Sequence, residues 1–161
     1  MKALTLTQPW ATLIAIGAKR IETRSWATDY RGPLAIHAAK GLAPVGGKRG
    51  LAEQCREPAF FSYLDRYSAA FYLDGSEALP LGKIVATAKL VDVRRIDAAV
   101  RAQVLSQTRT PSEIQFGDYA SGRYAWFLED VKSLVSPIEC KGALSLWDLP
   151  DDVRAEIERT N

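Results

Sequence analysis

Along residues 82–96 the apolar positions change parity partway through a single β-type run, a pattern that few folds accommodate. Ile84, Ala86, Ala88 and Leu90 follow one alternation, and Val91 and Val93 then follow the other. Because side chains alternate faces with period two, the switch predicts a β-bulge and a bent strand. A strand of that length and bend suits a small barrel. Tyr124, Ala125, Trp126, Phe127 and Leu128 are apolar without alternation, which predicts a central strand over residues 124–129 covered on both faces. Shorter β segments are predicted at residues 2–7, 20–26, 33–39, 135–140 and 143–147. The turn residues Tyr30-Arg31-Gly32-Pro33 lie between the second and third of these and predict a hairpin.

Helical spacing fills most of the remainder. Trp10, Leu13 and Ile14 make a buried stripe in a short helix that Thr7 can cap and that Gly17 ends. Phe60, Phe61, Leu64, Tyr67 and Phe71 mark a covering helix over residues 53–73. Asp97 can cap a helix to about residue 106, and a C-terminal helix from Pro150 turns Val153 and Ile157 inward. Residues 107–123 show no periodicity, and irregular stretches of that length inside compact domains usually carry function or lack order. The expected fold class is α+β, a small mixed or antiparallel β-barrel with peripheral α-helices, formed by one domain over residues 1–161.

Composition removes several classes of function. No segment approaches the roughly 18 consecutive apolar residues of a membrane span, and the N-terminus lacks the apolar run of a signal peptide. A cytoplasmic location is the default expectation. With one histidine, and Cys55 and Cys140 far apart, the usual structural zinc sets cannot be assembled, so both thiols are expected free and no metal is expected. Gly46-Gly47-Lys48 is not a nucleotide phosphate loop, since Leu42 replaces the required first glycine and Arg49 the required Ser or Thr. No cofactor is called for. The net charge of +2 permits an anionic ligand without demanding one, so only clustering of charge carries weight.

Two clusters qualify. In Gly17-Ala18-Lys19-Arg20-Ile21-Glu22-Thr23-Arg24-Ser25-Trp26, strand alternation puts Arg20, Glu22, Arg24 and Trp26 on one face, with Lys19 at the preceding corner. A solvated edge strand has the same composition. The second, Phe116-Gly117-Asp118-Tyr119-Ala120-Ser121-Gly122-Arg123-Tyr124, combines glycines that let a ligand approach the backbone with two tyrosines and an arginine. A turn with aromatic packing reads the same way. Lys40, Lys48 and Arg49 add positive charge, and His37, opposite in parity to Leu34, Ile36 and Ala38, is a candidate acid or base or a hydrogen-bonded structural residue.

Taken in order, these motifs resemble the ASCH domain, a branch of the PUA-like superfamily, in the manner of a bacterial-type single-domain member. The resemblance runs through Gln8-Pro9-Trp10-Ala11, the GxKxxExR core from Gly17 to Arg24, and Tyr30-Arg31-Gly32-Pro33-Leu34-Ala35-Ile36-His37-Ala38. It resumes at Phe116-Gly117-Asp118-Tyr119 and Gly122-Arg123-Tyr124-Ala125-Trp126, then Lys141-Gly142 and Leu146-Trp147. The resemblance implies a small β-barrel with peripheral helices and a cleft that takes RNA or nucleotides. Some short bacterial members hydrolyse N4-acetylcytidine with a lysine, a threonine and a glutamate. Lys19 matches the lysine, Glu22 stands where they have threonine, and no residue here is matched to their glutamate.

Three functions follow as expectations. The first is binding of RNA, single-stranded nucleic acid or a modified nucleoside in a basic cleft. Lys19, Arg24, Arg31 and Arg123 would touch phosphate, Trp26 or Tyr119 would stack on a base, and Glu22 would accept from a base amino group. Lys40, Gly117, Asp118 and Tyr124 belong to the same site, with Gln8, Trp10 and His37 as further candidates. The second is a metal-independent hydrolase acting on N4-acetylcytidine or RNA, in which a desolvated Lys19 is base or nucleophile and Glu22 carries the proton. The third is a protein-interaction module anchored by Tyr119 and Trp26.

Overall fold

In the computed structural model, residues 1–64, 79–107 and 111–160 are described. Strand β1 (Lys2–Leu6) leads into helix α1 (Trp10–Ala15), followed by β2 (Ile21–Arg24) and β3 (Gly32–Ala38). A 3-10 turn (Ala43–Val45) and α2 (Gly47–Arg56) come next, and residues 58–64 are again helical. Then come β4 (Lys83–Arg95), α3 (Ala98–Gln107), a 3-10 segment (Pro111–Phe116), β5 (Tyr124–Glu139), β6 (Leu146–Asp148) and α4 (Asp151–Thr160). The covering-helix positions Tyr67 and Phe71 lie outside the described residues.

The six strands among the described residues form one sheet in the order β2-β5-β4-β3-β1-β6, curled into a half-barrel, with β1 and β3 parallel and the other pairs antiparallel. The bend lies where parity placed it, with a register shift between Leu90 and Asp92. A second shift between Ile84 and Ala86 moves Ile84 to the opposite face from Ala86, Ala88 and Leu90. The sequence offered no sign of it, because Val85 is apolar too and its neighbours read as regular alternation.

Layers on both faces cover the sheet. Leu4, Leu6, Leu34, Ile36, Ala86, Leu90 and Trp126 meet Ala11 and Ile14 of α1 on one side. Ala3, Ala35, Ile84, Leu134 and Ile138 meet Val153 and Ile157 of α4 on the other. Each fully buried aliphatic side chain stabilises by roughly 1.5–3 kcal/mol, so α4 is held mainly by two residues at helical spacing.

Three local expectations need correction. Residues 20–26 and 33–39 do not pair as a hairpin: β2 pairs with β5, and β3 lies between β1 and β4. Alternation fixes which face a side chain takes but not which strand lies alongside. The predicted strands at 124–129 and 135–140 are one continuous β5, which passes the polar Glu129-Asp130 pair with Asp130 at φ 50°. Thr7 does not cap α1; the Gln8 side chain accepts from the Thr12 amide at 3.1 Å instead.

Candidate functional site

The candidate site starts from a buried lysine. Leu13 O accepts from the amides of Ala18 and Lys19, closing α1 at the positive-φ Gly17 and turning Lys19 into the interior. Its side chain has no exposed surface; Nζ donates to the Ile21 carbonyl at 2.5 Å and lies 3.6 Å from Glu22 Oε2. A buried cation is tolerated only when paired and hydrogen-bonded. Glu22 in turn lies 3.6 Å from Arg24 Nε, and Arg24 Nη2 donates to the Thr5 carbonyl at 2.8 Å.

The fourth charge went unseen in the sequence. Glu113, 4% exposed, accepts from the Arg20 and Ile21 amides at 2.9 and 3.0 Å. Burial pushes its carboxyl above the usual range, opposed by the nearby Lys19 cation and these two amides. Two cations and two carboxylates therefore balance under β2. Glu113 sits within the aperiodic stretch, where no pattern could single it out, and its partners are backbone amides more than ninety positions earlier.

β2 is an edge strand, but not a solvated one, since Lys19, Glu22 and Thr23 are all buried. The loop beginning at Gly117 closes over it. Thr23 Oγ1 accepts from the Asp118 amide at 3.0 Å, and a Cβ on Gly117 would lie 2.8 Å from the Tyr119 ring and 3.1 Å from Thr23 Cγ2. The absent side chain at Gly117 thus lets the loop dock on its own protein.

Above this floor opens a cleft of about 980 Å³. Trp10, Phe60 and Phe116 form an aromatic wall, with Phe60 edge-on to both Trp10 and Phe116. Trp26 stands at the β2 side, edge-on to Trp126 at 4.7 Å, and its carbonyl accepts from Trp126 Nε1. Glu22, Arg24 and Asp118 carry the charge of the lining, and Gly117 and several Thr, Gln and Ser residues complete it.

Of the residues singled out in the sequence, Glu22, Arg24, Trp26, Trp10, Gly117 and Asp118 meet in this cleft. Lys19 lies beneath it, sealed. Tyr119 is packed with Ile21, Ile96 and Val104, and burial followed by the Glu113 and Glu22 charges raises its phenol far above the usual value, so it offers no stacking face. Gln8 is fully buried, bridging the Thr12 amide and the Pro80 carbonyl. Arg31 donates to the Thr28 and Tyr30 carbonyls and lies near Asp92, away from the cleft. Arg123 latches the loop through the Asp118 carbonyl and carboxylate, and Tyr124 packs against the core from β5. His37 and Lys40 line an adjoining groove rather than the cleft.

The expectation of a basic cleft therefore changes. Among the described residues its charged lining is one guanidinium and two carboxylates, because Lys19 is hidden and Arg31 and Arg123 are engaged elsewhere. Among the described residues no three His, Cys, Asp or Glu side chains gather as a metal set, and Cys55 and Cys140 are free thiols. Among them, too, no helix is long and apolar enough to cross a membrane.

The six-stranded curled sheet clad by helices is an α+β architecture of the PUA-like kind, with the aromatic-walled cleft at its edge strand. The chain belongs to the ASCH domain family, whose model matches residues 4–138. Among solved structures it is similar to the ASCH protein of Zymomonas mobilis, with TM-score 0.56 and 16% identity, covering 99% of this chain and 95% of that one. A point mutant of that protein gives TM-score 0.55 and 14% identity, covering 99% and 98%. At such identity the likeness is one of fold. A shorter and closer likeness is to activating signal cointegrator 1, 54% identical over 41 residues in Mus musculus and 52% over 42 in Homo sapiens. Those segments are 26% of this chain and only 7% of the relatives' length.

Proposed function

We propose that this ASCH domain binds RNA, or another single-stranded nucleic acid or modified nucleoside, by taking one unstacked base into the aromatic cleft. The observation that carries the reading is the cleft itself: aromatic side chains on two sides and a fixed donor-acceptor pair, Arg24 and Glu22, between them. Single-stranded nucleic acid is recognised by stacking splayed bases on aromatic side chains and by bonding their edges. Glu22 suits an exocyclic amino group and Arg24 a carbonyl oxygen. Family membership supports the same class of ligand.

The two edge groups are held in advance. The Thr5 carbonyl anchors Arg24, and Lys19 backs Glu22 from the dry side, so little side-chain ordering is left to be done on binding. Fluorescence anisotropy with a short single-stranded RNA tests the reading. Trp26→Leu keeps apolar bulk against Trp126 but removes the stacking face, and should weaken binding by about 1–3 kcal/mol. Unchanged affinity in both Trp26→Leu and Trp10→Leu would overturn it.

The same cleft carries a hydrolytic alternative in one respect only: Glu22 faces the cavity with a buried ammonium behind it. In that case Glu22 is the group that meets the substrate and Lys19 its positioning residue. Turnover of N4-acetylcytidine to cytidine and acetate, abolished by Glu22→Gln, would replace binding with hydrolysis. Binding without turnover supports the first reading.

A further inference from the structure

Beside the aromatic cleft runs a groove of about 770 Å³, and the two share Thr5, Ala39, Ala143 and Leu144 along their common edge. Its chemistry differs. Lys40 and Lys141 are exposed on its rim, and neither makes an ion pair among the described residues. Glu139, also at the rim, lies 3.8 Å from Lys83.

The groove is braced from below. Gly82 N donates to the Ala38 carbonyl, Cys140 N to the Gly82 carbonyl, and the buried His37 Nε2 bonds the Cys140 carbonyl at 3.0 Å. These bonds tie the two segments that carry the lysines to each other, directly and through Gly82. Nε2 must be the donor to a carbonyl, so Nδ1 is left as an acceptor, and it has no partner among the described residues. Burial lowers the pKa of His37, which leaves the ring neutral near pH 7 and the positive charge of the groove to the lysines.

We propose that this groove is a phosphate subsite, so that the ligand is a nucleoside phosphate with its base in the aromatic cleft and its phosphate between Lys40 and Lys141. The proposal rests on the base-binding reading and extends it. It resolves a mismatch in charge, because the cleft presents two carboxylates and a single guanidinium while a nucleic acid is an anion. Phosphate contacts supply affinity and register, and base contacts supply selectivity. Here the two tasks fall to adjoining surfaces, with Thr5 at the junction where a sugar would span them. A phosphodiester of a strand and a phosphomonoester of a free nucleotide share the chemistry.

The test titrates the full chain with the common ribonucleosides, their 5′-monophosphates and a short single-stranded RNA over a range of salt. Lys40→Gln with Lys141→Gln keeps both stems and removes both charges. It should weaken RNA binding by about tenfold or more, as lost charge-assisted contacts do. It should also lower the magnitude of the salt slope by about 0.7, because the one phosphate held between the two lysines loses its counter-charge. Nucleoside affinity should stay unchanged, and arginine at both positions should restore the slope. Weakening of RNA alone assigns a diester, and weakening of the monophosphates as well assigns a monoester. RNA binding with unaltered affinity and slope in the double variant would overturn the subsite while leaving the base cleft standing. Loss in the lysine variant but none in either Trp26→Leu or Trp10→Leu would keep the subsite and overturn the base reading. A wild-type chain that binds none of the probes would overturn both.

Discussion

Glu113→Ala removes the carboxylate that pins the start of β2, and its cost can be worked from the contacts. Two backbone amides, Arg20 and Ile21, lose their acceptor. Hydrogen bonds to a charged group contribute about 1.5–3 kcal/mol each, so the gross loss is about 3–6 kcal/mol. Two effects reduce it. The Arg20 bond is only partly buried, so water can replace part of that loss, and the burial that raises the Glu113 pKa is itself a cost that vanishes with the side chain. A net loss of about 2–4 kcal/mol remains, a large share of the 5–15 kcal/mol typical of a domain. Glu113→Gln keeps one acceptor and should lose about half as much. Urea unfolding measures both through the midpoint at constant m. The pH dependence follows from the sign of the shift. A carboxyl whose folded pKa is raised stabilises the fold most below its ordinary value of 4.5, and that contribution is lost as pH rises through the folded pKa. The wild type should show this decline above pH 4.5, and Glu113→Gln should lack it. A loss below about 0.5 kcal/mol in Glu113→Ala would refute the argument that these bonds hold the strand.

Gly142→Ala should destabilise by about 1–3 kcal/mol in thermal unfolding, the usual cost of overpacking, because the new Cβ would lie 2.3 Å from His37 Cε1 and 2.6 Å from Nδ1. The ring cannot withdraw easily, with the Cys140 carbonyl on Nε2 and Trp147 edge-on at 5.8 Å. His37, the one histidine in the chain, gives a single imidazole resonance whose NMR titration midpoint should fall below 6.5. Its stabilising contribution is present above 6.5 and lost as pH falls through the lowered folded value, because the unfolded chain takes the proton more readily. Lys19→Met should cost about 3–5 kcal/mol by leaving Glu22 and Glu113 without their buried counter-charge, and adding Glu113→Gln should cost less than the separate losses combined. Additive losses in a double-mutant cycle would show that the two charges are uncoupled.

Local rules were legible wherever one residue acts on its near neighbours. Asp97 accepts from the Val100 amide at 2.8 Å as an N-cap, and Val153 and Ile157 are the buried pair of α4. His37 takes the opposite face from Leu34 and Ile36. Partners distant in sequence were not legible. Arg24 and Tyr124 belong to different predicted clusters, yet they are register partners across β2 and β5, which is why the two clusters come together at all. Lys19 reads as a cleft residue that meets the ligand until it is seen fully buried beside Glu22 and Glu113. Tyr119 reads as a ligand contact until its ring is seen packed with Ile21, Ile96 and Val104.

The docking of the loop on Thr23 bears on how the cleft would select under the proposed base-binding reading. Had Lys19, Arg31 and Arg123 all faced a ligand, charge would dominate and any polyanion would serve. Instead Lys19 is sealed, Arg31 is held by carbonyls near Asp92, and Arg123 is spent on fastening the loop. On the proposed reading, what a base would meet is the Glu22 carboxylate, the Arg24 guanidinium and aromatic side chains, with the Asp118 carboxylate engaged by Arg123. Such a surface discriminates by shape and by the pattern of donors and acceptors, since a mismatched edge leaves a desolvated polar group unpaired at about 1–3 kcal/mol. Under the proposed phosphate subsite, Lys40 and Lys141, which make no ion pair among the described residues, lie one groove away and would add affinity without blurring that discrimination. Substitutions at Glu22 should therefore alter which base is preferred, while substitutions at Lys40 and Lys141 should alter affinity for all sequences alike.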